Sequence, residues 1–207
     1  MEFLRSVNIA IALFVFIAYG AIAQDHDKTL EAFSNSYTFE TEGEYSKAID
    51  VLKQVYSEDS YALNLRLGWL NYMGGFFTDA LAYYQKCMEL KPLSLEAKFG
   101  YIYPASALGN WEQVKKQYND ILEIDPQNTL ANYRLGSIYY GNEDYNTAIK
   151  YFEKVVNLYP FDYDGLLMYG WTNYYLGKFR EAEVLFKQAM LNRPYDKSAT
   201  EGLEKIK

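Results

Sequence analysis

The residue types that usually carry catalysis are almost missing from this chain. The single histidine, His26, stands between Asp25 and Asp27. An imidazole beside two carboxylates offers metal-ligand atoms, but a terminus frays and cannot fix a coordination geometry. The single cysteine, Cys87, has no second thiol to pair with. It occupies the place that Ala189 takes later in the chain, which suits a packed small side chain better than an activated nucleophile. With no histidine away from the terminus, neither a Ser-His-Asp nor a Cys-His relay can be assembled. No glycine-rich phosphate loop occurs. Carboxylate pairs such as Glu42/Glu44 and Glu181/Glu183 fall at expected helix ends, where they solubilise. No asparagine is followed two places later by serine or threonine, so N-glycan attachment is not implied. These observations predict a protein that is not an enzyme and needs no cofactor and no metal.

The abundant chemistry is aromatic. The chain has 22 tyrosines in 207 residues, beside 12 phenylalanines and 3 tryptophans. Such rings give large, rigid contact area at low entropy cost, which is the chemistry of binding. A net charge of −7 repels a phosphate backbone and argues against a nucleic-acid partner. With 50% hydrophobic residues and 23% charged ones, the body of the chain should fold rather than stay disordered.

The elements that must position those rings are set by a period. Pro92, Pro126, Pro160 and Pro194 are equally spaced, and Ala80, Val114, Ala148 and Ala182 keep the same step. A fixed period of this length marks one supersecondary unit copied along the chain. Four repeats follow, at 61–94, 95–128, 129–162 and 163–196. A shorter one precedes them at 29–60, with Ser60 assigned to the proline's place. Tyr145, Ala148, Ile149, Phe152, Val155 and Val156 form one helical stripe, and Lys150 and Lys154 break any strand alternation. Each repeat therefore reads as two helices around a turn. Gly43, Gly75, Gly109 and Gly177 occupy that turn, where positive φ is needed; Glu143 replaces glycine in repeat four, and a less regular turn is expected there. Gly68, Gly136 and Gly170 recur in the first helices, where small residues let helix axes approach closely, and large residues such as Tyr84, Phe152 and Phe186 recur in the second, where they fill the space between one helix pair and the next. Pro104, the one proline off the register, should kink the first helix of repeat three.

This pattern resembles the tetratricopeptide repeat family. Leu135, Gly136, Tyr139, Ala148, Phe152 and Pro160 carry the resemblance in repeat four, and Gly170, Ala182, Phe186, Ala189 and Pro194 in repeat five. The tryptophan that often opens the family's first helix is absent. The resemblance implies an all-α fold, a right-handed superhelix (α-solenoid) of about five helix-turn-helix repeats, closed by a C-terminal capping helix at 197–207. It also implies a concave face lined by the first helices. Carried over residue by residue, that face holds Arg66, Trp69, Tyr72, Phe99, Tyr103, Tyr133, Arg134, Tyr140, Trp171 and Tyr174. Two roles fit this set: an aromatic groove for an extended peptide, with Arg66 and Arg134 holding a carboxylate, or plain packing against the neighbouring repeat. A kink at Pro104 would open such a groove between Trp69 and Tyr133. The chaperone-tail carboxylate clamp of the family finds only Arg134 in place and is not expected.

Residues 1–23 combine Arg5, an apolar run from Val7 to Gly20 and a small-x-small site at Ala21-Ile22-Ala23. That is the layout of a secretory signal peptide, with an uncleaved anchor as the alternative. A mature chain starting at Gln24, with a short extension to 28, would be exported, periplasmic or secreted if bacterial, with no membrane span after cleavage. The reading is an exported, non-catalytic scaffold or adaptor for a protein or peptide partner, open to homo-oligomerisation. The alternatives are a carbohydrate- or polymer-binding module and a structural subunit of a cell-envelope complex.

Overall fold

A hydrogen-bonding side chain returns once per repeat at the head of each first helix. In the computed structural model, which describes residues 26–207, Ser60, Ser94, Asn128, Asp162 and Asp196 each precede a helix. Their side chains accept the backbone N–H of Leu63, Ala97, Ala131, Gly165 and Ala199 at 3.3, 3.1, 3.0, 2.7 and 2.9 Å. Each cap satisfies a donor that the first helical turn leaves orphaned. The prolines lie just ahead of four of these caps, so one helix stops and the next starts within a short loop. Ser60 is therefore a cap in register with Ser94, and Glu58 holds the proline's place, which corrects the alignment of the first repeat.

The chain forms two compact units. In the N-terminal unit, residues 26–41 are helical (α1). They are followed by α2 (Tyr45–Lys53), α3 (Tyr61–Met73), α4 (Phe77–Leu90) and α5 (Leu95–Ala107). The C-terminal unit holds α6 (Trp111–Ile124), α7 (Thr129–Gly141), α8 (Tyr145–Leu158), α9 (Tyr163–Tyr175), α10 (Phe179–Asn192) and α11 (Lys197–Ile206). All secondary structure among the described residues is helical. The short α2, 9 residues against 14 in α4, accounts for the shorter first repeat. Neighbouring helices pack in chain order within each unit, α3 on α4 and then α4 on α5, α7 on α8, α8 on α9 and α9 on α10.

The core follows the register. Ala80, Val114, Ala148 and Ala182 are buried at the place where the paired helices meet. Large rings seat against missing side chains: a Cβ on Gly136 would meet the Phe152 ring at 2.8 Å, and one on Gly100 would meet Tyr84 at 2.2 Å. Gly100 lies outside the predicted glycine set, yet it admits the Tyr84 ring that also covers Gly68. Cys87 is fully buried, its Sγ 3.7 Å from the Tyr61 carbonyl, and burial pushes the thiol up to about 12. It is a packing residue.

One local expectation changes. The turn at Glu143 is as regular as the glycine turns: Glu143 N–H bonds Tyr140 O and Asp144 N–H bonds Tyr139 O, both at 2.9 Å, as Gly177 and Lys178 do with Tyr174 and Asn173. Glu143 adopts φ 63° to achieve this, so the motif is kept at a cost in backbone strain. Helix α5 continues past the buried Pro104, and its last turn closes with Leu108 N–H on Pro104 O at 3.1 Å. The export segment 1–23 and Gln24 lie outside the described residues. No described helix is long and apolar enough to cross a membrane.

Candidate binding surface

In the N-terminal unit the predicted residues lie on α3 and α5. Arg66, Trp69 and Tyr72 share one face of α3 by their three-residue spacing. Arg66 is buried and already has its carboxylate: Nη1 lies 2.7 Å from Glu40 Oε2 on α1, and Nε donates to Ser36 Oγ at 3.2 Å. Its guanidinium stacks over Tyr37, 3.8 Å from the ring centre. The Trp69 indole N–H donates to the other oxygen of Glu40 at 2.5 Å. Arg66 therefore braces α3 against α1, and the acid expected from a partner comes from the chain itself. Beyond it the rings continue: Trp69 to Tyr72 at 5.9 Å, then Tyr72 to Tyr103 on α5 at 5.5 Å. Tyr103 is 49% exposed and Phe99 is half-buried one turn earlier. This row crosses from one repeat to the next.

In the C-terminal unit Tyr140, Trp171 and Tyr174 gather with Tyr145, Tyr175 and Phe179. Tyr145 and Tyr175 stack in parallel at 4.7 Å, and Tyr140 meets both edge-on at 5.4 and 5.9 Å. Burial, followed by the Tyr175 and Tyr145 hydroxyls, pushes the Tyr140 hydroxyl up, so it stays a neutral donor. Trp171 is buried against Phe186 at 5.1 Å, and its indole N–H donates to Ser198 Oγ on α11 at 2.9 Å. It docks the terminal helix and presents little surface. Tyr175, by contrast, is half exposed. Tyr133 is half-buried on α7, edge-on to Phe152 at 5.9 Å, and Arg134 beside it is exposed.

Of the predicted residues, Arg66 and Trp171 hold the fold together, while Tyr72, Tyr103, Tyr140 and Tyr174 form two continuous ring assemblies, one per unit. Sequence reasoning missed Glu40 and Ser198, the partners of Trp69 and Trp171. Glu40 lies on α1, in the shorter first repeat, and Ser198 on α11, beyond the last repeat. Tyr145 reads from the sequence as a packing ring; its stack on Tyr175 places it in the surface assembly. Among the described residues no group of three His, Cys, Asp or Glu side chains could hold a metal ion.

Consecutive helical hairpins, small-residue crossings and capped first helices define an α-helical repeat protein. The tetratricopeptide repeat signature matches residues 130–162. The TPR repeat-containing protein YpiA of Bacillus subtilis (strain 168) is 26% identical over 157 residues, 74% of this chain and 37% of YpiA, so the chain spans little over a third of that relative. A tetratricopeptide repeat protein from Parabacteroides merdae ATCC 43184 superposes with a TM-score of 0.73 at 22% identity, covering 87% of this chain and 72% of the other. MamA from Desulfovibrio magneticus RS-1 does so with a TM-score of 0.68 at 18% identity, covering 83% and 98%. Residues 130–162 are a tetratricopeptide repeat, and the chain shares the all-α repeat fold of the proteins it superposes on.

Proposed function

We propose that this protein is an exported, non-catalytic scaffold that holds an extended protein segment against its exposed tyrosine rows. The observation that supports this most is the Tyr72–Tyr103 contact at 5.5 Å. It joins the first helices of two consecutive repeats into one aromatic strip with Tyr103 half in solvent. An extended segment can lay successive side chains along such a strip. Arg66, already paired with Glu40, is not available to a partner's carboxylate. Export is inferred from the composition of residues 1–23 and is tested separately: the protein isolated from its host should begin at Gln24.

Titration of the intrinsic tryptophan emission against a peptide library and an oligosaccharide panel tests the binding class, because Trp69 adjoins Tyr72. A peptide that shifts the emission should lose about 1 kcal/mol or more of affinity in Tyr103→Ala, the usual mark of an anchor. A response confined to oligosaccharides moves the function to carbohydrate binding.

A further inference from the structure

Two repeats close the same corner with an internal cation. In repeat two, Lys91 Nζ sits 4.6 Å from the centre of the Tyr61 ring, and the Tyr61 hydroxyl meets the next cap, Ser94 Oγ, at 2.7 Å. In repeat five, Arg193 covers Tyr163 at 3.7 Å. Burial and then the next cap, Asp196, push the Tyr163 hydroxyl up, which puts the two side by side. Repeat four has the same register but neither partner: Thr129 stands at the tyrosine's place and Tyr159 at the cation's. The corner is an open cleft of about 380 Å³, lined by Thr129, Leu130, Tyr133, Val155, Tyr159, Asp162 and Asp164.

The lining has the parts of the internal arrangement without its cation. Tyr133 and Tyr159 supply ring faces, and Tyr159 is 56% exposed. Asp162 caps α9 through Oδ1, which accepts Gly165 N–H at 2.7 Å. Asp164, in the first turn of α9, is exposed and adds a second carboxylate. Burial and then the charge of Asp164 push the Tyr133 hydroxyl up, consistent with carboxylate and ring sharing the site. Leu130 and Val155 give an apolar floor for a methylene stem. The cation acting on Tyr133 is the exposed Arg134.

We propose that this cleft takes the side chain of an arginine or lysine from a partner segment, supplying from outside the cation that repeats two and five supply from within. Ring faces attract the charge, and the carboxylates neutralise it where water is partly excluded. The site is independent of the Tyr72–Tyr103 strip, so either can fail alone.

The test uses the full chain and an acetylated, amidated Leu-Phe-Arg-Leu-Gly peptide, with citrulline and norleucine replacing arginine in two controls. Backbone NMR shifts and calorimetry read the outcome. The arginine peptide should shift Leu130, Tyr133 and Asp164. Each control should bind about tenfold more weakly, the size expected for losing one charge-assisted, ring-stacked contact. Asp164→Asn should weaken the arginine peptide about fivefold by the same reasoning, with the melting curve unchanged. The paired substitution Thr129→Tyr with Tyr159→Arg should rebuild the internal arrangement and abolish binding while keeping the fold. Equal binding of the arginine and norleucine peptides would show a merely apolar groove and overturn the proposal. So would shifts that map to the Tyr72–Tyr103 strip, undiminished binding to the rebuilt variant, or no arginine-dependent shift at millimolar peptide.

Discussion

Trp69 and Trp171 occupy the same place in repeats two and five, yet they face opposite ways along the chain. Trp69 reaches back to Glu40 on α1, which also neutralises the buried Arg66. Trp171 reaches forward to Ser198 on α11 and seals the end of the C-terminal unit. Repeat three has Tyr103 and repeat four Ser137 at that place, so only repeats two and five leave an indole N–H there to be satisfied. Whatever helix lies beside it supplies the acceptor. One unit uses a carboxylate that also serves an ion pair, and the other uses a neutral hydroxyl.

That difference sets the largest expected effect. Glu40→Ala strips both Arg66 and Trp69 of their acceptor and leaves a guanidinium buried without its ion-pair partner. It should cost about 2–3 kcal/mol, below the full value for a buried pair because Glu40 is partly exposed. Ser198→Ala should cost about 1 kcal/mol. Urea unfolding of both variants checks the ratio; equal costs would mean that Glu40 does no more for Trp69 than Ser198 does for Trp171.

A second contrast lies in the glycines that admit a ring. Gly100→Ala drives a Cβ to 2.2 Å from the buried Tyr84 ring, and Gly202→Ala drives one to 2.4 Å from Phe186. Overpacking of this kind costs about 1–3 kcal/mol, partly offset by the better helix propensity of alanine. Gly100 should suffer more, because α5 is held by several buried residues on either side of it, whereas the shorter α11 buries little besides Ala199 and Gly202 and can shift outward. The order of the two denaturation midpoints decides this.

The turns give a smaller and opposite effect. Glu143→Gly should relieve the strain of a positive φ that the other turns avoid, and raise stability by about 1 kcal/mol. A lowered midpoint would mean that Glu143 makes a contact worth more than the strain.

The smallest effect is a pH dependence confined to one unit. The Ala199 N–H holds the Asp196 carboxylate below its ordinary value of 3.8, with smaller help from the Tyr163 hydroxyl. A depressed folded value means that the ionised cap adds stability above that ordinary value and loses it as pH falls through the depressed one. Amide exchange in α11 should therefore quicken in acid. Helix α5 is capped by Ser94, which does not titrate, and its first turn should hold over the same range. Parallel loss in both helices would assign the effect to general acid unfolding.

The sequence alone determined the repeat, its helical period, the turn glycines and the buried alanines, because each depends on spacing within a single repeat. The caps at Ser94, Asn128, Asp162 and Asp196 keep the same spacing and were equally legible. Tyr72 and Tyr103 were legible as surface candidates for the same reason. Tertiary structure decided which aromatic and basic residues are spent internally. Arg66 and Arg134 share a repeat position and a charge, but only Arg66 has Glu40, Ser36 and Tyr37 beside it. The open corner at Thr129 and Tyr159 also emerged only from the fold. Local spacing repeats, whereas the partners of a side chain come from helices almost a whole repeat away, and those residues need not repeat.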